Sequence, residues 1–391
     1  MQGKQMDKYI ILKKPLSSAS SMKRNVAEAG SERPSLVIER LQRHEAAELS
    51  RDPGILAISR PMKIKLIRPL ISAAEPEHAG DAWGVAAVNA HLSPYTGSGV
   101  RVAVLDTGID RTHPAFDGIA LQEQDFTGEG DGDWDGHGTH CAGTIFGRDV
   151  DGRRIGIARG VKQAFIAKVI GKHNANSDIL FQGMHWALAQ RANIISMSLG
   201  FDFPGEVEEK VNKGWPADLA TSEALDVFCG NLRLFDSLMG VFKSYSVFNA
   251  TPIVIAAAGN ESRRAINNDY RISTSLPAAA EGVLSVAAAA HPNPLHAIAD
   301  FSNSLPHLTA PGVNVLSAWP GGRLKSMGGT SMACPHVAGV AALWWEHLRN
   351  LRSPQLSQAV ASNLVASARR DCFSPEFDAS DFGHGLVSAP I

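Results

Sequence analysis

The chain has 391 residues, 44% of them hydrophobic and 19% charged, which are ordinary proportions for a soluble globular protein. Its formal net charge is −2, so composition points to neither nucleic acid nor an anionic membrane as partner. No apolar run approaches the ~18 residues of a membrane span, and the length suits one large domain plus a small one.

Taken in chain order, the N-terminus MQGKQMDKYIILKK lacks an apolar core of signal-peptide length. That reads as a cytoplasmic protein, or one exported by a route without such a signal. Residues 1–70 read as a small α+β unit. KYIILKK (8–14) is expected to be a strand and the Ser-rich stretch 16–34 a loop. Ser35 is placed to cap a helix reaching Leu49, with Val37, Ile38, Leu41 and Ala46 on one face. ILAIS (55–59) and MKIKLI (62–67) read as a strand pair, the second alternating Lys63 and Lys65 with Ile64 and Leu66. Residues 71–82 are small and acidic, as a linker or processing region would be.

From Trp83 to Ile391 the pattern is that of one larger domain in which strands and helices alternate. GVRVAVLDTG (99–108), QAFIAKVIG (163–171), ANIISMSLG (192–200), TPIVIAAAGN (251–260) and VLSVAAAA (283–290) read as buried strands. Ser177 is expected to cap a helix to about Gln190 with Ile179, Leu180, Met184 and Leu188 inward. FDFPGEVEEKVNKGWP (201–216) reads as a long polar loop beside the cleft. After it, Leu225, Phe228, Leu232, Phe235, Met239 and Phe242 recur at helical spacing, with core packing as the default reading. The alternation predicts an α/β fold, a doubly wound parallel sheet, whose active sites lie at the carboxyl ends of strands. Asp106, the tripeptide Ser198-Leu199-Gly200, and Asn260 all fall at expected strand ends.

Three dense motifs carry the chemistry: VAVLDTGID (102–110), DGHGTHCAGT (135–144) and GGTSMACPHVAG (328–339). They bring an Asp, a His and a Ser in that order: Asp106, His137 and Ser331. Nucleophilic hydrolysis needs a hydroxyl, an imidazole to take its proton and a carboxylate to hold the imidazole. Ser331 precedes a helical run, so its hydroxyl would sit at a helix N-terminus; the plainer alternative is an N-cap serine. Asp106 before Thr-Gly is alternatively a turn residue, and Asp110 is the competing carboxylate. His140, one turn past His137, suggests a metal pair, but no further ligand is evident, so His140 and His336 read as structural. The four cysteines, Cys141, Cys229, Cys334 and Cys372, have neither metal-ligand nor disulfide spacing and read as free buried thiols. Cys141 and Cys334 adjoin two of the motifs, close enough for thiol reagents to inhibit.

These motifs resemble those of the subtilisin-like (subtilase, peptidase S8) serine proteases, and the resemblance runs over about residues 83–388 to GHGLVSAP (383–390). It implies a subtilisin-like catalytic domain and an endopeptidase that forms a Ser331 acyl-enzyme, cleared by a water that His137 activates. It implies that Asn260, in AAAGNES, donates to the oxyanion beside the Ser331 backbone N–H. Ser198, Leu199 and Gly200 resemble the substrate strand, with Ala258 and Gly259 also at the substrate. The segment from Glu261 to Leu276 would line the pocket for the residue before the scissile bond, and Pro277 resembles the family's cis-proline. The 1–70 segment resembles an inhibitory propeptide whose end, near Leu70, lies in the cleft; a permanent structural extension is the alternative.

No organic cofactor is implied and no metal residue is assigned. The acidic run Glu129, Asp131, Asp133, Asp135, with Asp149 and Asp151, reads first as a solvated loop and second as a structural calcium site, since Ala115 stands where relatives place a ligand aspartate. The expected partners are a protein or peptide substrate and the chain's own N-terminal segment, on a monomer. Three rival functions remain at this stage: a dedicated intracellular processing protease for one precursor, a catalytically silent peptide-binding module, and a small-molecule esterase or amidase.

Overall fold

A computed structural model describes residues 6–14, 34–67, 80–244 and 251–391. Nearly all of the expected Ser-rich loop and most of the linker with Leu70 therefore lie outside the described residues, whereas the helix-spaced positions Leu225 to Phe242 all fall within them.

The N-terminal part contains β1 (Asp7–Lys13), β2 (Ser35–Leu41), α1 (Arg43–Leu49), β3 (Ile55–Ser59) and β4 (Ile64–Leu66). The main part contains α2 (Trp83–Ala87), β5 (Arg101–Asp106), β6 (Ala120–Asp125), α3 (His137–Phe146), β7 (Gln163–Lys168), α4 (Ser177–Ala189), β8 (Ile194–Met197) and β9 (Leu199–Phe201). It continues through α5 (Phe203–Asn212), α6 (Ala217–Ser244), β10 (Ile253–Ala257), β11 (Val283–Ala289), β12 (Leu308–Pro311), β13 (Val315–Trp319), β14 (Arg323–Met327), α7 (Thr330–Asn350), α8 (Leu356–Ala366) and α9 (Ala379–Phe382).

Seven strands form one sheet in the order β12-β11-β10-β8-β5-β7-β6, and every neighbouring pair is parallel. The apolar runs explain this, because strands covered on both faces need no polar alternation. Along β5, Val102 and Val104 enter the core under α3 and α7, while Ala103 and Leu105 enter the opposite core under α4 and α6. Helices thus cover both faces, as the alternation predicted. The chain reverses its winding around the central β5, and that switch point opens the cleft at the carboxyl ends of β5, β8 and β10.

Four local expectations are corrected. Residues 35–41 form strand β2, antiparallel to β1, and the helix starts only at Arg43. Pairing with β1 outweighs the helical spacing of Val37, Ile38 and Leu41, whose β-branched members favour a strand. The polar stretch after Phe201 is helix α5, started by Asp202, whose side chain accepts from the Gly205 N–H. Ser177 does not cap α4: Asn176 holds the cap position, and Ser177 Oγ instead donates to Asn231 Oδ1 at 2.7 Å. Finally, β4 does not pair with β3; it crosses to the main part and pairs with β9.

The N-terminal sheet, in the order β2-β1-β3, docks through one face. Ile10 and Leu12 join the core beneath α4 and α6, whereas Tyr9 and Ile11 face the other way in a small core with Ala46. A buried polar hub on α6 fixes the exit of β3. Asn231 Nδ2 donates to Ser59 Oγ (3.2 Å), Arg60 O (2.9 Å) and Val227 O (2.8 Å). Arg60 also pairs with Glu223 of α6.

Candidate active site

Asp106 is the last residue of β5 and His137 the first of α3, so a strand end and a helix start present them to each other. His137 Nδ1 lies 2.7 Å from Asp106 Oδ1, and both side chains are fully buried. The Thr107 N–H donates to the same Oδ1 at 2.8 Å. Close approach of α3 to β5 depends on Gly138, where a methyl group would overlap the Gly108 carbonyl oxygen. Burial pushes the His137 pKa down. The charge and hydrogen bond of Asp106 outweigh it, so the imidazole titrates well above its ordinary range.

Ser331 is the second residue of α7, within its first turn, and is fully buried. Ser331 Oγ lies 3.2 Å from each of two carbonyl oxygens, Ser198 O and Ile67 O, which share its single proton. His137 Nε2 has no hydrogen-bond partner among the described residues. The pairing of Asp with His is therefore formed, while the serine hydroxyl is engaged by a carbonyl of the N-terminal segment. Ser198 Oγ in turn donates to Ser331 O at 3.0 Å, which holds the first turn of α7 against the end of β8.

Asn260 follows β10. Its Oδ1 accepts from Thr330 N and Thr330 Oγ1, both at 2.9 Å. These bonds fix the amide orientation, so that Nδ2 is the donor end, beside the start of α7. Gly259 N donates to Thr330 Oγ1, and Ala258 O accepts from Ser275 N and Asn303 Nδ2. The backbones of Ala258 and Gly259 are thus engaged by the protein itself.

The cleft already holds a peptide segment. Leu66 faces Leu199 and Lys65 faces Gly200 in an antiparallel register, and Asp202 N donates to Lys63 O at 3.0 Å. On the other side, Ile64 N donates to Ala175 O at 3.1 Å and Ser177 N to Met62 O at 2.8 Å. Residues 62–67 are therefore the middle strand between 175–177 and β9, a peptide added by backbone hydrogen bonds. Ile67 is 1% exposed, and a side chain at position 200 would sit 3.3 Å from its Cγ1, so Gly200 leaves space there. The sequence had marked the cleft strand and Gly200. The resemblance placed the end of the N-terminal segment, near Leu70, in the cleft, but not which residue meets Ser331; the contact falls at Ile67, 264 residues away in the chain.

The remaining candidates sort by their partners. His140 Nε2 bonds Val315 O and Lys325 O, and burial with the charge of His137 lowers it to about 3. His336 bonds Met332 O, and burial lowers it to about 4. Both are neutral structural groups at neutral pH. In the pocket segment, Arg264 is buried in an ion pair with Asp381 at 3.0 Å, so its charge does not face a substrate. The Leu276–Pro277 bond is cis.

Cys141 and Cys334 do adjoin the centre, with Cys141 Sγ 3.9 Å from His137 Nδ1. Both are fully buried, and burial raises the Cys141 thiol and pushes that of Cys334 up to about 12, so with the cleft occupied neither presents an exposed thiolate. Three of the six acidic residues in and after the run are already engaged by the protein. Asp133 accepts from Thr107, Gly136 and Thr139, Glu129 accepts from two backbone N–H groups, and Asp149 pairs with Arg159. Among the described residues, the one set of three with metal-ligand spacing is Asp106, His137 and Cys141. Its imidazole and carboxylate already bond each other.

The Subtilase family model matches residues 97–385 of this chain. An intracellular serine protease of Paenibacillus polymyxa is 34% identical over 258 residues, covering 63% of this chain and 67% of that protein. Subtilisin Savinase of Lederbergia lenta is 32% identical over 313 residues, 78% of this chain and 96% of the relative. A thermostable alkaline protease of Halalkalibacterium halodurans is 30% identical over 354 residues, 89% of this chain and 80% of the relative. A match of that extent reaches into the residues ahead of Trp83.

Proposed function

The chain belongs to the subtilase family and is a subtilisin-like serine endopeptidase; on that premise we propose that Ser331 is its nucleophile and that residues 1–67 are its inhibitor. In this reading His137 Nε2 takes the Ser331 hydroxyl proton as Oγ attacks the scissile carbonyl carbon. Asp106 holds the ring through Nδ1 and stabilises the imidazolium that forms. The resulting oxyanion is bonded by the Ser331 N–H at the start of α7 and by Asn260 Nδ2. His137 then gives the proton to the leaving amine, and a water that the same nitrogen deprotonates clears the acyl-enzyme. Losing one oxyanion donor costs about 2.7–4 kcal/mol, a magnitude already established for subtilisin itself.

The observation that carries the inhibitor half is the Ile67 carbonyl, 3.2 Å from Ser331 Oγ on a strand bound as a substrate would be. It occupies the hydroxyl that His137 must engage. The peptide bond after Ile67 is the one offered to Ser331. A small-molecule esterase has no use for a strand-wide cleft, and a silent binding module has no use for a buried Asp-His pair of raised basicity. Names of relatives that include intracellular serine proteases support action in the cytoplasm, which cell fractionation tests.

The decisive experiment compares intact masses of wild type and Ser331→Ala, before and after a fluorophosphonate. Wild type is expected to be cut between Ile67 and Gly80 and to gain one adduct, with neither event in the variant. Equal cutting in both removes self-processing, and a wild type that has lost its N-terminal segment yet gains no adduct removes Ser331 as the nucleophile.

A further inference from the structure

Helix α5 and the residue before it place two carboxylates along the occupied cleft. Asp202 Oδ1 lies 2.8 Å from Lys65 Nζ, and Glu209 is ion-paired with Lys63. The two lysines alternate with Ile64, which is buried, and each comes from a strand position whose backbone is bonded to the cleft. Counted back from the peptide bond after Ile67, Lys65 is third and Lys63 fifth. The other cations of α5 do not cancel the wall. Lys210 is held by Glu206 and Glu223, turned toward α6, and Lys213 shares Glu209. The charge of Glu209 persists, since Lys213 and Lys63 lower its carboxyl to about 2.

Resting on the peptidase reading above, we infer that Asp202 and Glu209 select the substrate: a peptide with basic residues third and fifth before the scissile bond and aliphatic residues first and fourth. The N-terminal strand meets this rule, so inhibitor and substrate use one recognition code. Asp202 does two jobs, capping α5 and holding the third residue, which ties the shape of the wall to its charge.

The test uses the full chain, as wild type, Asp202→Asn/Glu209→Gln and Glu209→Lys; asparagine retains the cap of α5. Two quenched peptides are offered, acetyl-Lys-Ile-Lys-Leu-Ile-Ser-Ala-Ala and its counterpart with Glu in place of both Lys. Wild type is expected to favour the lysine peptide by about tenfold in kcat/KM, the product of two surface pairs. The double variant should lose most of that preference. On a third peptide, acetyl-Glu-Ile-Lys-Leu-Ile-Ser-Ala-Ala, which differs from the lysine peptide at the fifth position alone, Glu209→Lys should reverse the wild-type choice, a gain that a misfolded protein cannot give. If the resident strand stays and blocks both peptides, the same charges are read from fluorophosphonate labelling. Lys63→Glu/Lys65→Glu should then label several-fold faster than wild type, and adding Glu209→Lys should slow it again. Equal hydrolysis of both peptides, or equal labelling of all variants, overturns the selection rule and leaves the peptidase standing. No labelling in any variant overturns the peptidase reading and this inference with it.

Discussion

The proposed catalytic centre and the proposed selective wall beside it are built on opposite physical terms. Asp106, His137 and Ser331 are fully buried, and each is fixed by packing of a strand end or helix start whose neighbours are themselves buried. Asp202, Glu209, Lys63 and Lys65 are a quarter to a half exposed and meet as surface ion pairs. In the first region a misplaced atom has nowhere to go and the interaction cannot be replaced by water. In the second, water and salt compete for every charge. Chemistry is thus made rigid, while selection among peptides remains graded and adjustable by single surface substitutions.

The largest expected effect lies in the buried centre. Asp106→Asn should lower kcat by about four orders of magnitude, because the amide imposes the wrong imidazole tautomer. A loss of only a few-fold would mean that Asp106 does not orient His137. Next comes packing. Gly138→Ala forces a methyl group onto the Gly108 carbonyl oxygen and should cost about 1–3 kcal/mol, read as a lowered midpoint of denaturant unfolding. Asn231→Ala strips Ser177, Ser59 and Arg60 of a buried partner and should cost about 1–3 kcal/mol. An unchanged unfolding midpoint would show that the α6 hub contributes nothing to docking the N-terminal sheet.

The pH responses separate the two regions further. The His137 pKa is raised, and catalysis needs the neutral ring, so kcat/KM should climb with pH along a limb centred above 6.5. A limb centred below that value would contradict the Asp106 contact. Stability has the opposite origin. His140 and His336 have folded values lowered to about 3 and about 4. Below 6.5 the unfolded chain therefore takes up protons that the folded chain refuses, and stability should fall with pH through that range. The melting temperature followed from pH 7 to 4 should decline, and replacing His336 by Gln should flatten the decline. The smallest effect belongs to the wall: raising salt from 0.05 to about 0.5 M should shrink the preference for lysine peptides, while leaving the pH limb in place.

Much of the parallel sheet was legible because β5, β7, β8, β10 and β11 are continuous apolar runs, and such runs announce burial on both faces. The three site motifs were legible because glycines flank each reactive residue at close approaches. What failed did so for physical reasons. Residues 35–41 carry a spacing that fits a helix, and only the neighbouring β1 makes them a strand. The stretch after Phe201 is so polar that it read as a loop. Its helix rests on the Asp202 cap and on Lys210 bridging to Glu206 and Glu223. Ser177 has the right residue type for a cap one position too late, and its hydroxyl serves Asn231 instead.

By itself, the sequence determined the family to which this protein belongs and the class of sheet on which its motifs lie, since motifs and apolar runs are local properties. Only the tertiary structure decided that Ile67 meets Ser331, that β4 leaves β3 for β9, and that Asp202 and Glu209 face two lysines from the other end of the chain. These are long-range pairings. Nothing in the local composition of either partner encodes them, and they exist only once the core has set the distance between β9 and α4.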